Sequence, residues 1–345
     1  MGRTIDFSIE LGDIATFEAD VVGLKFAQHF FGADRAVADS LVAAGLRVEN
    51  LCPGVGRHVY IETRNAIHSP KVVFVGVEPL GSFGYRDIRE FAASVVKIVS
   101  NEDPGAEHLA MTLHGPGYGL DEVEALFSLF AGILQALRDA IQISGWHLRC
   151  ISIVERDRGR VERLRTAFQQ RESQFELNAS RGRWPYLLSI GGEHRQDPAD
   201  PSPSRSVEEV GRGSEQKPHV FVAMPFAKNW EDVFYYGIQG PVRAAGYLCE
   251  RVDQDAFTGD ILARIKKRIE TAEVVIAELS GANPNVYLEI GYAWGRNRPT
   301  ILLANDPAHL RFDIQGQRCL VYDGIKNLEG LLTKELLALK SNRLI

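Results

Sequence analysis
Short hydrophobic runs alternate with amphipathic stretches along most of this chain, and their periods separate strands from helices. In the first half, residues 7–11 and 21–24 read as strands around a turn. Residues 35–44 predict a helix stopped by Gly45. Residues 58–62 and 71–77 predict two more strands, the second buried on both faces by Val72-Val73-Phe74-Val75. Ile88, Phe91, Val95 and Ile98 fall at helical spacing within 85–99. A short strand over 108–113, a long helix over 120–141, a strand over 148–154 and a helix over 159–170 follow, while 171–190 carries no clear pattern. In the second half, 219–223, 273–278, 300–303 and 319–322 read as strands. The intervening helices cover 229–245, the stripe Ile261, Ile265 and Ile269, the segment after Asn283, and a last helix from about Leu328. Strands alternating with helices predict an α/β fold, a parallel sheet with helices on both faces, whose ligands bind at the carboxyl ends of the strands. There is no internal repeat.

The pattern breaks between Gly191 and Lys217. Asp197-Pro198-Ala199-Asp200-Pro201-Ser202-Pro203-Ser204 has almost no side chain to bury and so cannot offset its ordering entropy. The expected plan is a first domain over 1–175, a partly disordered linker over 176–217, and a second domain over 218–345. The 345 residues suit two cores rather than one. A net charge of −6 argues against duplex nucleic acid as the main partner. The four cysteines form no CxxC pair and the histidines no HxxxH or HExxH pattern, so neither a disulfide framework nor a metal site is expected. No apolar run is long enough to span a bilayer, and a reducing cytoplasm is the simplest setting. The arginines from Arg156 to Arg165 and the run Lys266-Lys267-Arg268 read first as polar helix faces.

Chemistry concentrates near Asn283-Pro284-Asn285-Val286-Tyr287-Leu288-Glu289. Glu278 ends a buried strand, and Glu289 falls in the second turn of the next helix, with Asn283 or Asn285 as N-cap. A carboxylate on a core-facing helix needs a partner or a chemical role. The helix amino end would hold Glu289 as the anion a nucleophile requires. Asp253, Asp255 and Asp260 come from the preceding strand end and loop. The competing reading makes Glu289 a dipole partner or a member of an ion pair, and spacing alone does not choose between them.

Met224-Pro225-Phe226, Arg251-Val252-Asp253, the run Ala272 to Gly281, and Glu289-Ile290-Gly291-Tyr292-Ala293 together resemble the nucleoside 2-deoxyribosyltransferase superfamily. That superfamily is flavodoxin-like and related in architecture to Toll/interleukin-receptor (TIR) domains. The resemblance covers about residues 218–340. It implies that Glu289 attacks the anomeric carbon of a (deoxy)ribose and that Glu278, where aspartate is usual, orients the sugar. It also implies that Met224 and Phe226 pack on the base, with Asp253, Asp255 and Asn285 lining the substrate crevice. Met-Pro-Phe departs from the usual glycine-containing loop. TIR-type NADases also rely on a glutamate, so NAD⁺ stands beside nucleosides and nucleotides as a substrate. No cofactor is implied, and sites in such folds often form across subunits, which implies a homo-oligomer.

In the first half, Leu11-Gly12-Asp13-Ile14, Gly32-Ala33-Asp34-Arg35 and Gly115-Pro116-Gly117-Tyr118-Gly119 follow one another in the order of a macrodomain, which they resemble over about 5–170. Glycines between strand and helix allow close approach of a phosphate, although a plain tight turn uses them equally. The resemblance implies a three-layer α/β/α domain that binds ADP-ribose or a related nucleotide. Asp13 and Ile14 would lie at the adenine, and Gly32, Gly115, Gly117, Tyr118 and Gly119 at the diphosphate. Gly23-Leu24-Lys25 replaces the usual Asn-Ala-Asn, which argues for binding rather than hydrolysis. The amino-terminal domain of leucine aminopeptidases shares this architecture without a nucleotide role. The two resemblances together imply an N-glycosidase or (deoxy)ribosyltransferase governed by a nucleotide sensor, a pairing similar to bacterial antiviral effectors. The alternative is a non-catalytic nucleotide-binding signalling protein.

Overall fold
The structure, a computed structural model, describes residues 3–140, 146–171, 186–190, 214, 217–225, 227–252, 259–306, 308, 310, 311, 314 and 316–342. The chain divides into two units, Met1–His114 with Glu122–Glu215, and Gly115–Asp121 with Gln216–Ile345.

The first unit is built on a seven-stranded sheet. Its strands are β1 (Arg3–Leu11), β2 (Val21–Phe26), β3 (His58–Glu62), β4 (Lys71–Gly76), β5 (His108–Thr112), β6 (Cys150–Glu155) and β7 (Tyr186–Ile190), in the order β3-β4-β2-β5-β6-β1-β7. The central strands run parallel, and β3 and β7 close the edges antiparallel. Helix α1 (Gly32–Ala43) places Val37, Ala38 and Leu41 against Val22, Leu24, Val72 and Phe74 on one face. Helices α2 (Tyr85–Glu102), α3 (Glu122–Ala140) and α4 (Arg158–Gln170) cover the other. There Val95 of α2 presses on Gly23, and Phe7 meets Phe130 and Phe168 at ring distances of 4.8 and 5.3 Å. The result is the expected α/β/α arrangement. Strand β7 lies where the sequence showed no pattern; it is short and pairs with β1 from the far end of the unit, so no local signal marks it.

Three arginines of α4, on the helix face expected to be polar, are structural. Arg163 binds the buried Glu122 through two hydrogen bonds of 2.7 and 3.1 Å, and Arg160 adds Glu155 at 3.1 Å. Arg165 reaches the Ile9 carbonyl, tying α4 to β1. Charged bidentate contacts of this kind fix geometry more strongly than neutral ones.

The second unit carries a five-stranded, wholly parallel sheet of β8 (His219–Ala223), β9 (Leu248–Glu250), β10 (Val274–Glu278), β11 (Thr300–Ala304) and β12 (Cys319–Val321), ordered β12-β11-β10-β8-β9. Counted along the chain this is second-first-third-fourth-fifth, the flavodoxin-like order. Its helices are α5 (Gly240–Ala244), α6 (Gly259–Thr271), α7 (Pro284–Gly295) and α8 (Ile325–Ser341). Side-chain alternation splits the core. Val220, Val222, Met224, Val274 and Ile276 join Leu328, Leu332 and Leu336 of α8, whereas Phe221, Ala223, Val275 and Ala277 join Ile265 of α6 and Val286, Ile290 and Ala293 of α7. The expected continuous helix over 229–245 is instead a π-helical stretch, Val233–Gln239, leading into α5. Pro241 has no N–H to donate, and its ring would strike the Gly237 carbonyl in α-helical register, so the coil widens there. Arg268 of α6 is also structural, since it binds the fully buried Glu250 at 2.6 Å.

One charged pair lies deep in the first unit. Lys25 at the end of β2 and Asp34 in the first turn of α1 are each 2% exposed and joined in an ion pair. Burial pushes the Asp34 carboxyl up and the Lys25 ammonium opposes it. The second Asp34 oxygen, Oδ1, has no hydrogen-bond partner among the described residues. Nearby His114 is held neutral, its pKa driven well below the usual histidine range by burial and then by Lys25.

Two substitutions test this packing. A Cβ at Gly132 would lie 2.1 Å from the Arg89 carbonyl oxygen, where backbone cannot yield. Gly132→Ala should therefore part α2 from α3 and lower stability by about 2–3 kcal/mol in urea unfolding, and an unchanged midpoint would contradict the close crossing. Lys25→Met should cost about 3–5 kcal/mol by stranding Asp34, and adding Asp34→Leu should recover most of it. A double variant as unstable as the single would show that the pair is not the cause.

Candidate active site
The topology of the second unit marks where a ligand is expected to bind before any side chain is considered. The chain leaves β8 for β9 on one side and then returns past β8 to β10 on the other. The loops after β8 and β10 therefore diverge, and ligands of open α/β sheets bind at that switch point. Glu278 is the last residue of β10. After it, Gly281 and Ala282 both take positive φ, +84° and +49°, to reverse the chain into α7. Asn283 is the N-cap, its side-chain oxygen accepting from the Asn285 N–H at 2.9 Å, and Pro284 follows at the first turn.

Helix α7 buries the stripe Val286, Glu289, Ile290 and Ala293. Glu289 is thus placed by the same 3.6-residue period that seats the apolar side chains. It is 7% exposed, and among the described residues no side chain or backbone group hydrogen-bonds or ion-pairs with its carboxyl. Burial alone pushes its pKa up to about 8. The expectation that the helix amino end would hold it as an anion is corrected accordingly. The free N–H groups and their field are confined to the first turn, Glu289 sits in the second, and desolvation wins.

Glu278 behaves differently. It follows Val274 and Ile276 in the strand alternation and so projects on the α8 face, whereas α7 packs on the opposite face. Its carboxylate accepts from the Tyr322 hydroxyl and from the Ser280 N–H, each at 2.9 Å. Burial raises its pKa, and these bonds oppose the rise. Ser280 in turn accepts from the Asn305 N–H at 2.8 Å, joining the ends of β10 and β11. Among the described residues no hydrogen bond or ion pair joins Glu278 to Glu289. Tyr322 and Ser280 were not singled out by the sequence; Tyr322 reads only as the end of an apolar run.

Of the other expected substrate contacts, Met224 is buried at the end of β8, its sulfur 3.6 Å from Arg251 Nη1. Asn285 is half-buried at the start of α7. Phe226, Asp253 and Asp255 lie outside the described residues. Arg251, just beyond β9, was quoted only as part of a motif. It is 9% exposed and stacks over the Phe234 ring at 4.0 Å. No group of acids, histidines or cysteines suited to a metal occurs among the described residues, and all four cysteines are free.

The expected nucleotide contacts divide between the units. Asp13, Ile14 and Gly32 belong to the first. Asp13 accepts from Arg156 at 2.5 Å and from the Ala15 N–H at 3.0 Å, and the Arg156 contact holds its pKa below the usual carboxylate range. Ile14 is buried in the core beneath α1, and Gly32 opens that helix with φ +53°. Gly115, Gly117, Tyr118 and Gly119 group with the second unit. Gly115 and Gly119 adopt φ +108° and +95°, which only glycine takes without strain. The Tyr118 carbonyl accepts from Arg264, and Asp121 is clamped by Arg243 at 2.8 and 2.9 Å.

No family profile matches this chain, and no curated protein matches it. Among solved structures, it is similar to an Oceanobacillus iheyensis macrodomain with MES bound, at 9% identity and a TM-score of 0.36, over 50% of this chain and 100% of that one. A mutant of the same macrodomain with ADPR gives 13% identity and a TM-score of 0.32 over 50% and 100% of the two chains. The bottromycin maturation enzyme BotP overlaps 92% of this chain and 89% of its own at 14% identity and a TM-score of 0.29. Likenesses this loose carry no argument about function, and the fold stands on its own strand order.

Proposed function
We propose that the second unit cleaves or transfers at the N-glycosidic bond of a nucleoside, nucleotide or NAD⁺, with Glu289 as the nucleophile. One observation carries this reading. Glu289 is a buried carboxyl without a partner among the described residues, on the helix that follows the switch-point strand. A carboxyl left so costs stability and is retained where it serves chemistry. Buried in this way, it is mainly protonated at neutral pH. A positively charged glycosidic nitrogen, or the positive charge that develops at the anomeric carbon, pulls it toward the carboxylate.

Its proton passes to solvent as the ligand's positive charge draws near, and the ionised oxygen then attacks C1′. The bond from C1′ to the base breaks, its electron pair leaves with the base nitrogen, and a glycosyl ester forms. Water, or the nucleophilic nitrogen of an acceptor base, next attacks C1′ and releases the carboxylate, and the proton lost by that nucleophile goes through solvent to the departed base, or to solvent alone where the leaving base carried the positive charge. Glu278, tied to Tyr322 and Ser280, supports the floor of the crevice in this reading and does not grip the sugar. The first unit is the proposed nucleotide-sensing partner, through Asp13, Ile14 and Gly32. The competing reading, nucleotide binding without turnover, gains from that same commitment of Glu278.

Incubation with NAD⁺ and a nucleoside and nucleotide panel, followed by chromatography for free base, separates the two. Release should occur with the native chain and fall about 1,000-fold in Glu289→Gln with the fold intact; equal turnover would remove Glu289 from the mechanism. As a nucleophile of raised pKa, Glu289 should give a kcat/KM that climbs with pH and levels off above about 8. A decline across that range would make it a proton donor instead. Linkage gives an independent check. The folded carboxyl holds its proton between about 4.5 and about 8 where the unfolded one has lost it, so its contribution to stability is full below 4.5 and fades as pH rises through 8. Glu289→Gln should therefore gain on the native chain by a few kcal/mol at roughly pH 9 and much less at pH 5. A difference independent of pH would contradict the shift.

A further inference from the structure
We propose that the first unit binds a small zwitterion with apolar side chains, of the size of a dipeptide, in a cavity separate from its glycine loops. The proposal is independent of the glycosidic reading of the second unit.

The cavity encloses about 610 Å³ between α2 and the β3–β4 edge of the seven-stranded sheet, a volume suited to a small molecule. Asp13, Ile14 and Gly32 do not line it. One wall is the turn over 55–58 that leads into β3, and it is pinned to the sheet. The Gly56 N–H donates to the Gly76 carbonyl at 2.9 Å, and the Gly76 N–H donates to the Arg57 carbonyl at 2.8 Å. A Cβ at Gly76 would lie 2.1 Å from the Gly54 carbonyl oxygen, so the turn sits this close only because residue 76 is glycine. Val75 and Val77 on the sheet side and Phe91 and Ile98 of α2 supply buried apolar lining.

The charges around this apolar patch balance. Arg57, Arg86 and Lys97 stand against Glu78, Asp87 and Glu90. Most are already committed. Arg86 binds Glu90 at 2.7 Å, Lys97 binds Asp139 at 3.0 Å, and Asp87 accepts from the Gly84 N–H at 2.6 Å. His58, also on the wall, meets Glu102 at 2.5 Å. Among the described residues, the Arg57 guanidinium, the Glu78 carboxylate and the half-buried Ser94 hydroxyl make no hydrogen bond or ion pair. A phosphate ester would face three carboxylates here, and a simple cation three bases. A ligand with one charge of each sign and apolar surface between them matches the lining. Its carboxylate can take the Arg57 fork, its ammonium can take Glu78, and its side chains can cover the valines and Phe91. Arg57 stands opposite Gly76, and Glu78 lies two residues further along the chain, a separation of roughly 7 Å. Two extended residues span about that length, so the termini of a dipeptide fit the pair better than the adjacent charges of one free amino acid.

The test is calorimetry on the full chain with leucyl-leucine, its N-acetyl and C-amide derivatives, and free leucine. Leucyl-leucine should bind at one site, and each of the other three should bind roughly 10- to 100-fold more weakly. Arg57→Gln should make leucyl-leucine and its amide bind alike while the acetyl effect persists. Glu78→Gln should make leucyl-leucine and its acetyl derivative bind alike while the amide effect persists. Both side chains are exposed, so the variants should keep the native unfolding midpoint. No saturable binding of leucyl-leucine, equal binding of a blocked derivative or of leucine, or end-group effects that survive both substitutions would each overturn the assignment.

Discussion
The second unit turns on an uncompensated burial. Placing a carboxyl in a protein interior without a hydrogen bond or counter-charge is unfavourable by several kcal/mol, and the ordinary response is to stay protonated. Glu289 does this, and the reason is geometric. Its place on α7 is dictated by the period that buries Val286, Ile290 and Ala293, and it lies one turn beyond the reach of the helix amino end. The other buried charges described above have partners. Glu250 has Arg268, Glu122 has Arg163, Lys25 has Asp34, and Glu278 has a tyrosine hydroxyl. The contrast gives the position of Glu289 its meaning.

The parallel sheet sorts these groups by simple alternation. Residues of β8 and β10 that point one way build the core with α8, and those that point the other way build the core with α6 and α7. Two acids close in sequence, Glu278 and Glu289, therefore serve different sides of the same sheet edge. One ties strand ends together through Tyr322 and Ser280; the other is left with a titratable proton. Similar chemistry in the sequence acquires different roles because one acid ends a strand and the other lies on the helix packed against the opposite face.

Much of this was legible in the chain itself. The long amphipathic helices and the apolar strands declared themselves because their signals are local. So did the placement of Glu289 on a buried helical stripe and of Glu278 at a strand end. What escaped depends on distant partners. β7 is defined by pairing with β1, the π-helical turn by Pro241 acting on Gly237, and the Glu278 anchor by a tyrosine two strands away. The arginines of α4 read as a polar face because helical spacing shows which side is polar and not what stands opposite it. The protonation of Glu289 was misjudged because a helix field is easy to infer from sequence, whereas depth of burial is not.

The most direct measurement is the titration of the Glu289 side chain itself, followed by the carbon chemical shift of its carboxyl group in selectively labelled protein from pH 4 to 10. The burial described here predicts a midpoint near 8. A midpoint at or below the ordinary glutamate value of about 4.5 would mean that the carboxylate is solvated or paired, and the proposed chemistry would lose its foundation.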